Sequence, residues 1–244
     1  MGSTRLPGKS LAMIGDMPLL SHVIQRLKEV KNADKIIVAT TTSVKDAPIV
    51  ELAKKEGVEY FCGSEDDVLD RYYQAAKKFN AEILVRITAD CPLLDPEVVD
   101  NVINAFINGK FDYVSNTNPP TYPDGLDVEV FSFTALETAW KEAKLTSERE
   151  HVTPYIWKHP EKFRLFNVIN DIDLSRMRWT VDEKEDLEFV RKVYSYLKEN
   201  KKVDFSMEAV LRVLSERPEF FLINKRFTRN EGYAKSVNED KKIK

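Results

Sequence analysis

Lys35-Ile36-Ile37-Val38-Ala39-Thr40 is a short β-branched run, the pattern of a strand buried on both faces. A helical stretch over 46–56 follows and stops at Gly57, which suits a C-cap. Val58-Glu59-Tyr60-Phe61 reads as the next strand, 66–79 as a helix, and Glu82-Ile83-Leu84-Val85-Arg86-Ile87 as a third strand. Strands that end near 40, 61 and 87 with a helix in each gap make the βαβ rhythm. The fold class is therefore α/β, a three-layer, mainly parallel sheet with helices on both faces.

The pattern extends in both directions. Leu19, Leu20, Val23, Ile24, Leu27 and Val30 recur at helical spacing over 17–31. Pro96 opens a helix to about 108, and strands are expected at 112–115 and 127–131, separated by an Asn/Pro/Thr/Asp/Gly loop over 116–126. Helices are expected over 133–144 and after Ser147, where Ser147 and Glu150 fit a capping box. Strands near 164–169 and 176–181 and helices over 183–198 and 206–216 complete one domain, 1–223. The polar stretch 224–244 reads as a frayed tail.

Composition narrows the function. The 244 residues carry 37 Lys+Arg against 40 Asp+Glu, a net charge of −3, without the basic excess of a nucleic-acid or membrane-surface binder. No apolar run approaches the roughly 18 residues of a membrane span, and residues 1–9 lack the apolar core of a signal peptide. Two cysteines make a disulfide framework improbable. A cytoplasmic globular protein is the expectation.

Gly8-Lys9-Ser10 invites comparison with a P-loop, but the glycine required five positions earlier is Ser3, and Pro7 removes a backbone donor. Ser3, Thr4, Arg5 and Lys9 still gather two hydroxyls and two cations around a turn. That suits an anion site, and suits a solvated chain end as well.

Met1-Gly-Ser-Thr-Arg-Leu-Pro-Gly-Lys9 resembles the nucleotide-binding signature of the sugar-activating cytidylyltransferases, with the SpsF-like branch closest and the acylneuraminate and Kdo enzymes more distant. Further blocks follow in order: Gly63-Ser-Glu-Asp-Asp-Val-Leu-Asp-Arg71, Thr88-Ala-Asp-Cys-Pro-Leu93, Tyr122-Pro-Asp-Gly-Leu-Asp-Val-Glu129, Ser147-Glu-Arg-Glu-His-Val-Thr153 and Arg178-Trp-Thr-Val-Asp-Glu-Lys-Glu-Asp-Leu-Glu188. Asn230-Glu-Gly-Tyr233 is similar to the family's longer members.

The resemblance implies the nucleotide-diphospho-sugar transferase sheet and Mg²⁺-dependent transfer of CMP from CTP to a sugar, an acidic one by preference, for envelope or spore-coat polysaccharide. Such chemistry rests on positioning and charge neutralisation. Arg5 and Lys9 would be its catalytic cations, and Gly2, Ser3, Thr40, Arg71 and Asp90 would bind nucleotide. Asp90 and Asp182 would hold the metal. Asp124, Asp127, Glu129, Arg149 and His151 would meet the sugar.

Bland readings stand beside these: a helix cap for Asp182, first-turn dipole complementation for Asp66 and Asp67, and a packed thiol for Cys91. CTP and a sugar are the implied partners, with a homodimer open. The family carries an apolar strand just before the Met-Gly-Ser-Thr-Arg block. Unpaired buried backbone groups are costly, so Met1 is expected to be internal, with about ten residues ahead of it. Two other functions compete: a glycosyltransferase using Asp171-Ile-Asp173, and a catalytically impaired nucleotide-binding partner protein.

Overall fold

The computed structural model describes residues 5–200 and 204–242. Gly2 and Ser3 lie outside the described residues. The chain opens with a 3₁₀ turn at Lys9–Leu11, then a small antiparallel ribbon, β1 (Met13–Ile14) and β2 (Met17–Pro18), and helix α1 (Leu19–Leu27). The expected alternation follows: β3 (Ile37–Thr41), α2 (Ala47–Lys55), β4 (Glu59–Gly63), α3 (Val68–Phe79), β5 (Ile83–Arg86) and α4 (Pro96–Asn108). Next come β6 (Tyr113–Ser115), β7 (Glu129–Ser132), α5 (Phe133–Glu142), α6 (Thr146–His151), α7 (Pro154–Trp157) and β8 (Leu165–Asn167). Helices α8 (Lys184–Glu199), α9 (Met207–Glu216) and α10 (Glu231–Asn238) close the chain.

β3 and β4 pair in parallel, and a separate four-stranded sheet runs in the order β5-β7-β6-β8. There β7 is antiparallel to β5 and β6, whereas β8 is parallel to β6. The sheet is thus mixed, because β6 and β7 are joined by a loop with no crossover helix, a connection that permits antiparallel neighbours. Successive residues sort onto its two faces. Val114 and Val130 pack with α4, α8 and α9, whereas Tyr113 and Phe131 pack with α3, α5 and α7. Three layers result.

The mainly parallel sheet expected is thus a mixed one, and four further expectations change. β3 is half-buried over most of its length, because β4 is its only strand neighbour among the described residues. Residues 176–181 form no strand, only an isolated bridge between Asp124 and Arg178. The Ser147–Glu150 capping box does not form. Instead the Ser147 N–H and hydroxyl both donate to Asp240, at 2.8 Å each. The segment expected to fray carries α10, which packs on α6. Its polar groups have distant partners, which composition does not reveal.

Candidate active site

Gly8 adopts φ 73°, a left-handed turn open to glycine, and delivers Lys9 into the structure at the head of the 3₁₀ turn. The Lys9 ammonium lies 2.6 Å from Asp90 Oδ2 and 2.7 Å from Asp182 Oδ1. Asp90 stands just beyond the C-terminal end of β5, where its carbonyl accepts from Val181 N–H at 2.9 Å. That bond brings the two aspartates together across the fold. Burial pushes the Lys9 pKa down, but Asp90 and Asp182 outweigh it and raise it above the ordinary value. Burial likewise lifts Asp90, and Lys9 overcomes this and holds it below the ordinary range. The pair stays ionic. Arg5, more exposed, reaches Asp182 at 3.1 Å, Glu183 at 3.4 Å and Glu231 at 3.8 Å.

Behind this cluster sits a residue that the sequence did not single out. Arg178 is 7% exposed and donates to Asp186 (3.0 Å), Asp182 (3.1 Å) and Asp124 (3.1 Å). Asp186 is fully buried, and it also accepts from the N–H groups of Asp182 and Glu183 at the start of α8. Asp182 is therefore aimed from behind by Arg178 and its helix start.

Pro123-Asp124-Gly125-Leu126 makes a tight turn closed by Leu126 N–H to Pro123 C=O at 3.1 Å. Gly125 has φ 110°, and a Cβ there would meet the Thr180 nitrogen at 2.7 Å. This close approach sets Asp124 against Arg178. Burial, and then the neighbouring Asp127 carboxylate, push Asp124 up to about 7. Burial also raises Asp127, against the pull of Arg229. With a folded pKa above the unfolded carboxylate value of about 3.9, Asp124 favours the native state at low pH and loses that contribution between about pH 4 and 7. Carbon-13 NMR of the metal-free protein should show the Asp124 carboxyl titrating near 7. A midpoint below 4 would contradict the assignment.

Glu129 is buried and bonded to Arg86, Tyr113 Oη (2.6 Å) and Thr153 Oγ1 (2.5 Å). Thr153 is presented by a γ-turn at the fully buried Val152, with φ 73° and a Thr153 N–H to His151 C=O bond of 2.9 Å. That hand is rare and strained for a β-branched residue.

Other predicted site residues have their partners outside the Lys9 cluster. Arg149 forms a bidentate pair with Asp67 and donates to Trp140 C=O, tying α6 to the start of α3. His151 contacts Ser236 at 3.0 Å, and burial lowers its pKa. Thr40 donates to Asp46 at 2.9 Å, and Arg71 donates to the Ser64 carbonyl and packs across Gly63. These residues line the C-terminal ends of the parallel pair β3 and β4, where open α/β sheets form ligand crevices. They make no bond to the Lys9 cluster among those described. Asp67, expected to complement the helix dipole from the first turn, instead stands at the N-cap of α3 and accepts from Asp70 N–H at 2.8 Å. Cys91 is buried with its thiol pushed up by burial, which suits packing and not nucleophilic attack.

The sequence profile of the cytidylyltransferase family matches residues 1–227. The chain belongs to the cytidylyltransferase family. An uncharacterized protein of Methanocaldococcus jannaschii is 41% identical to this cytidylyltransferase over 91% of this chain and 90% of its own. The spore coat polysaccharide biosynthesis protein SpsF of Bacillus subtilis is 31% identical over 90% of this chain and 92% of its own. Among solved structures, a cytidylyltransferase from Leptospira borgpetersenii superposes with a TM-score of 0.86 at 35% identity, covering 93% of this chain and 94% of that one. The fold is thus that of the nucleotide-diphospho-sugar transferases. No helix among the described residues is long and apolar enough to cross a membrane.

Proposed function

We propose that this cytidylyltransferase moves CMP from CTP to a sugar hydroxyl, releasing pyrophosphate, for cell-envelope or spore-coat polysaccharide. The observation that carries the reading is the convergence of Asp90 and Asp182 on one cation, beside Arg5, outside the C-terminal end of β5.

The donor set suits Mg²⁺. Two partly exposed carboxylates direct one oxygen each at the same positive charge. Among the described residues no group of three His, Cys, Asp or Glu would cage a metal. A hard cation that completes its shell with water and phosphate oxygens matches such an open pair. When bound, Mg²⁺ would neutralise phosphate charge as a Lewis acid. Asp90 and Asp182 would hold it; Lys9 and Arg5 would bind triphosphate oxygens. The crevice at Thr40 and Arg71 would take the nucleoside. Asp124, Asp127 and Glu129 would face the sugar.

The test is pyrophosphate release from CTP, UTP, GTP and ATP with Mg²⁺ and a panel of sugar acids and neutral sugars. Release with CTP and a sugar acid is expected. Release with no nucleotide would overturn the proposal. The glycosyltransferase alternative loses support: Asp173 accepts from Ser175 N–H at 2.9 Å in a surface turn, next to an Ile172 that is 67% exposed.

A further inference from the structure

The segment from Asn224 to Lys242 is bound to the body of the protein at two places. At one end it meets the candidate centre. Asn224 Nδ2 donates to Arg178 C=O and to Asp186, both at 2.9 Å, and the Thr228 carbonyl accepts from Arg178 at 3.3 Å. Glu231 faces Arg5 and accepts from the Thr228 N–H and hydroxyl. At the other end Asp240 caps α6, Thr146 N–H donates to Lys241 C=O at 3.1 Å, and Ser236 meets His151. Tyr233 sets its ring edge-on to both His151 and Trp157. The strap therefore joins the Arg178 cluster to α6.

Arg229 occupies the middle. Its side chain is 12% exposed, one terminal nitrogen donates to Tyr122 C=O at 3.0 Å, and the other pairs with Asp127. Its buried Nε has no hydrogen-bond partner among the described residues. Asp127 is the more exposed of the pair, at 27%, and lies beside Asp124 and Glu129. Without a cation at Arg229, three neighbouring carboxylates would repel one another, and Asp127 would protonate or turn away. An ionised, fixed Asp127 accepts hydrogen bonds from hydroxyls. Once protonated or displaced, it loses that capacity.

We propose that Arg229 is the positioning residue that sets acceptor specificity. By holding Asp127 ionised and oriented, it makes the pocket select acceptors that present hydroxyl groups to that carboxylate. The inference rests on the CMP-transfer reading above. It assigns Arg229, in the middle of the strap, to the acceptor side, and leaves the nucleotide to the Arg5, Lys9 and Asp90 side.

The test compares Arg229→Met and Arg229→Lys with the unaltered chain in the pyrophosphate assay. The acceptor is the best of 3-deoxy-manno-octulosonate, N-acetylneuraminate, glucuronate and glucose. Arg229→Met should raise the acceptor KM about 10-fold or more, while the CTP KM stays within about 2-fold; one lost charged hydrogen bond is of this size. Arg229→Lys, which keeps the charge, should recover part of the loss. Asp127→Asn combined with Arg229→Met should be no worse than the poorer single variant, because both remove one device.

A purely structural strap would lower the Tm and change both KM values together or neither. Equal rises for CTP and acceptor, or an unchanged acceptor KM in an active wild type, overturns this inference alone. A wild type inactive with every acceptor overturns the transfer reading and this inference with it.

Discussion

Asp90→Asn should lower kcat/KM for cytidylyl transfer by about 10²–10³-fold, near 3–4 kcal/mol at 1.36 kcal/mol per tenfold, and leave the fold intact. Asp90 is held by its backbone: the bond from Val181 N–H goes to its carbonyl and survives the substitution. Lys9 keeps Asp182 as a partner at 2.7 Å, so no buried ammonium is stranded. What disappears is one of the two negative charges aimed at the same point, and with it half of the anionic hold that the proposed Mg²⁺ would have there. Asp182→Asn should fall as far in activity, because the two carboxylates act as a unit. Steady-state kinetics across a Mg²⁺ titration, with thermal melts run alongside, would check this. Activity within threefold of wild type in both variants would show that the cluster is an ion-pair staple and no more.

Much of the path to that cluster was visible in the residues. Ile37–Thr41 and Ile83–Arg86 announce themselves through β-branched runs, and a strand end followed by Asp90 is where an α/β sheet places a ligand crevice. Pro96 marked the start of α4, and the structure adds a cap that was not read: the Asp95 carboxylate accepts from Glu97 N–H at 2.8 Å.

What was hidden depends on distance along the chain. The helix start at Ser147 looked like a local capping box, but Asp240, 93 residues away, occupies it. The resemblance turned Arg149 and His151 toward the sugar, and the partners that hold them, Asp67 and Ser236, lie 82 and 85 residues away. Arg178 lies between the apolar Met177 and Trp179. Only the fold reveals that Asp124, Asp182 and Asp186 converge on its guanidinium. A buried arginine has no sequence signal of its own. It is read from the carboxylates that three-dimensional packing brings to it.

That convergence makes Arg178 the position where stability and catalysis meet. Arg178→Met should destabilise the protein by about 3–5 kcal/mol, the range for removing one partner of a buried ion pair. For a chain of this size, at about 2–4 °C per kcal/mol, the Tm should fall by roughly 6–20 °C. The loss comes from what is left behind. Asp186 has no exposed surface, and its remaining donors are two backbone N–H groups and the Asn224 amide. Asp124, already pushed up by burial and by Asp127, loses its cation as well.

Neutralising the stranded acids separates this cause from lost packing: Arg178→Met with Asp124→Asn and Asp186→Asn should regain half or more of the lost stability. A single variant within 1 kcal/mol of wild type would refute the account. The rescued triple variant should still transfer CMP at least tenfold more slowly than the Asp124→Asn, Asp186→Asn double variant, because Asp182 would lack the guanidinium that aims it at Lys9 and Asp90. Stability regained with activity still below that of the double variant would mark the arginine as the bridge between the buried core and the Asp90–Asp182 cluster.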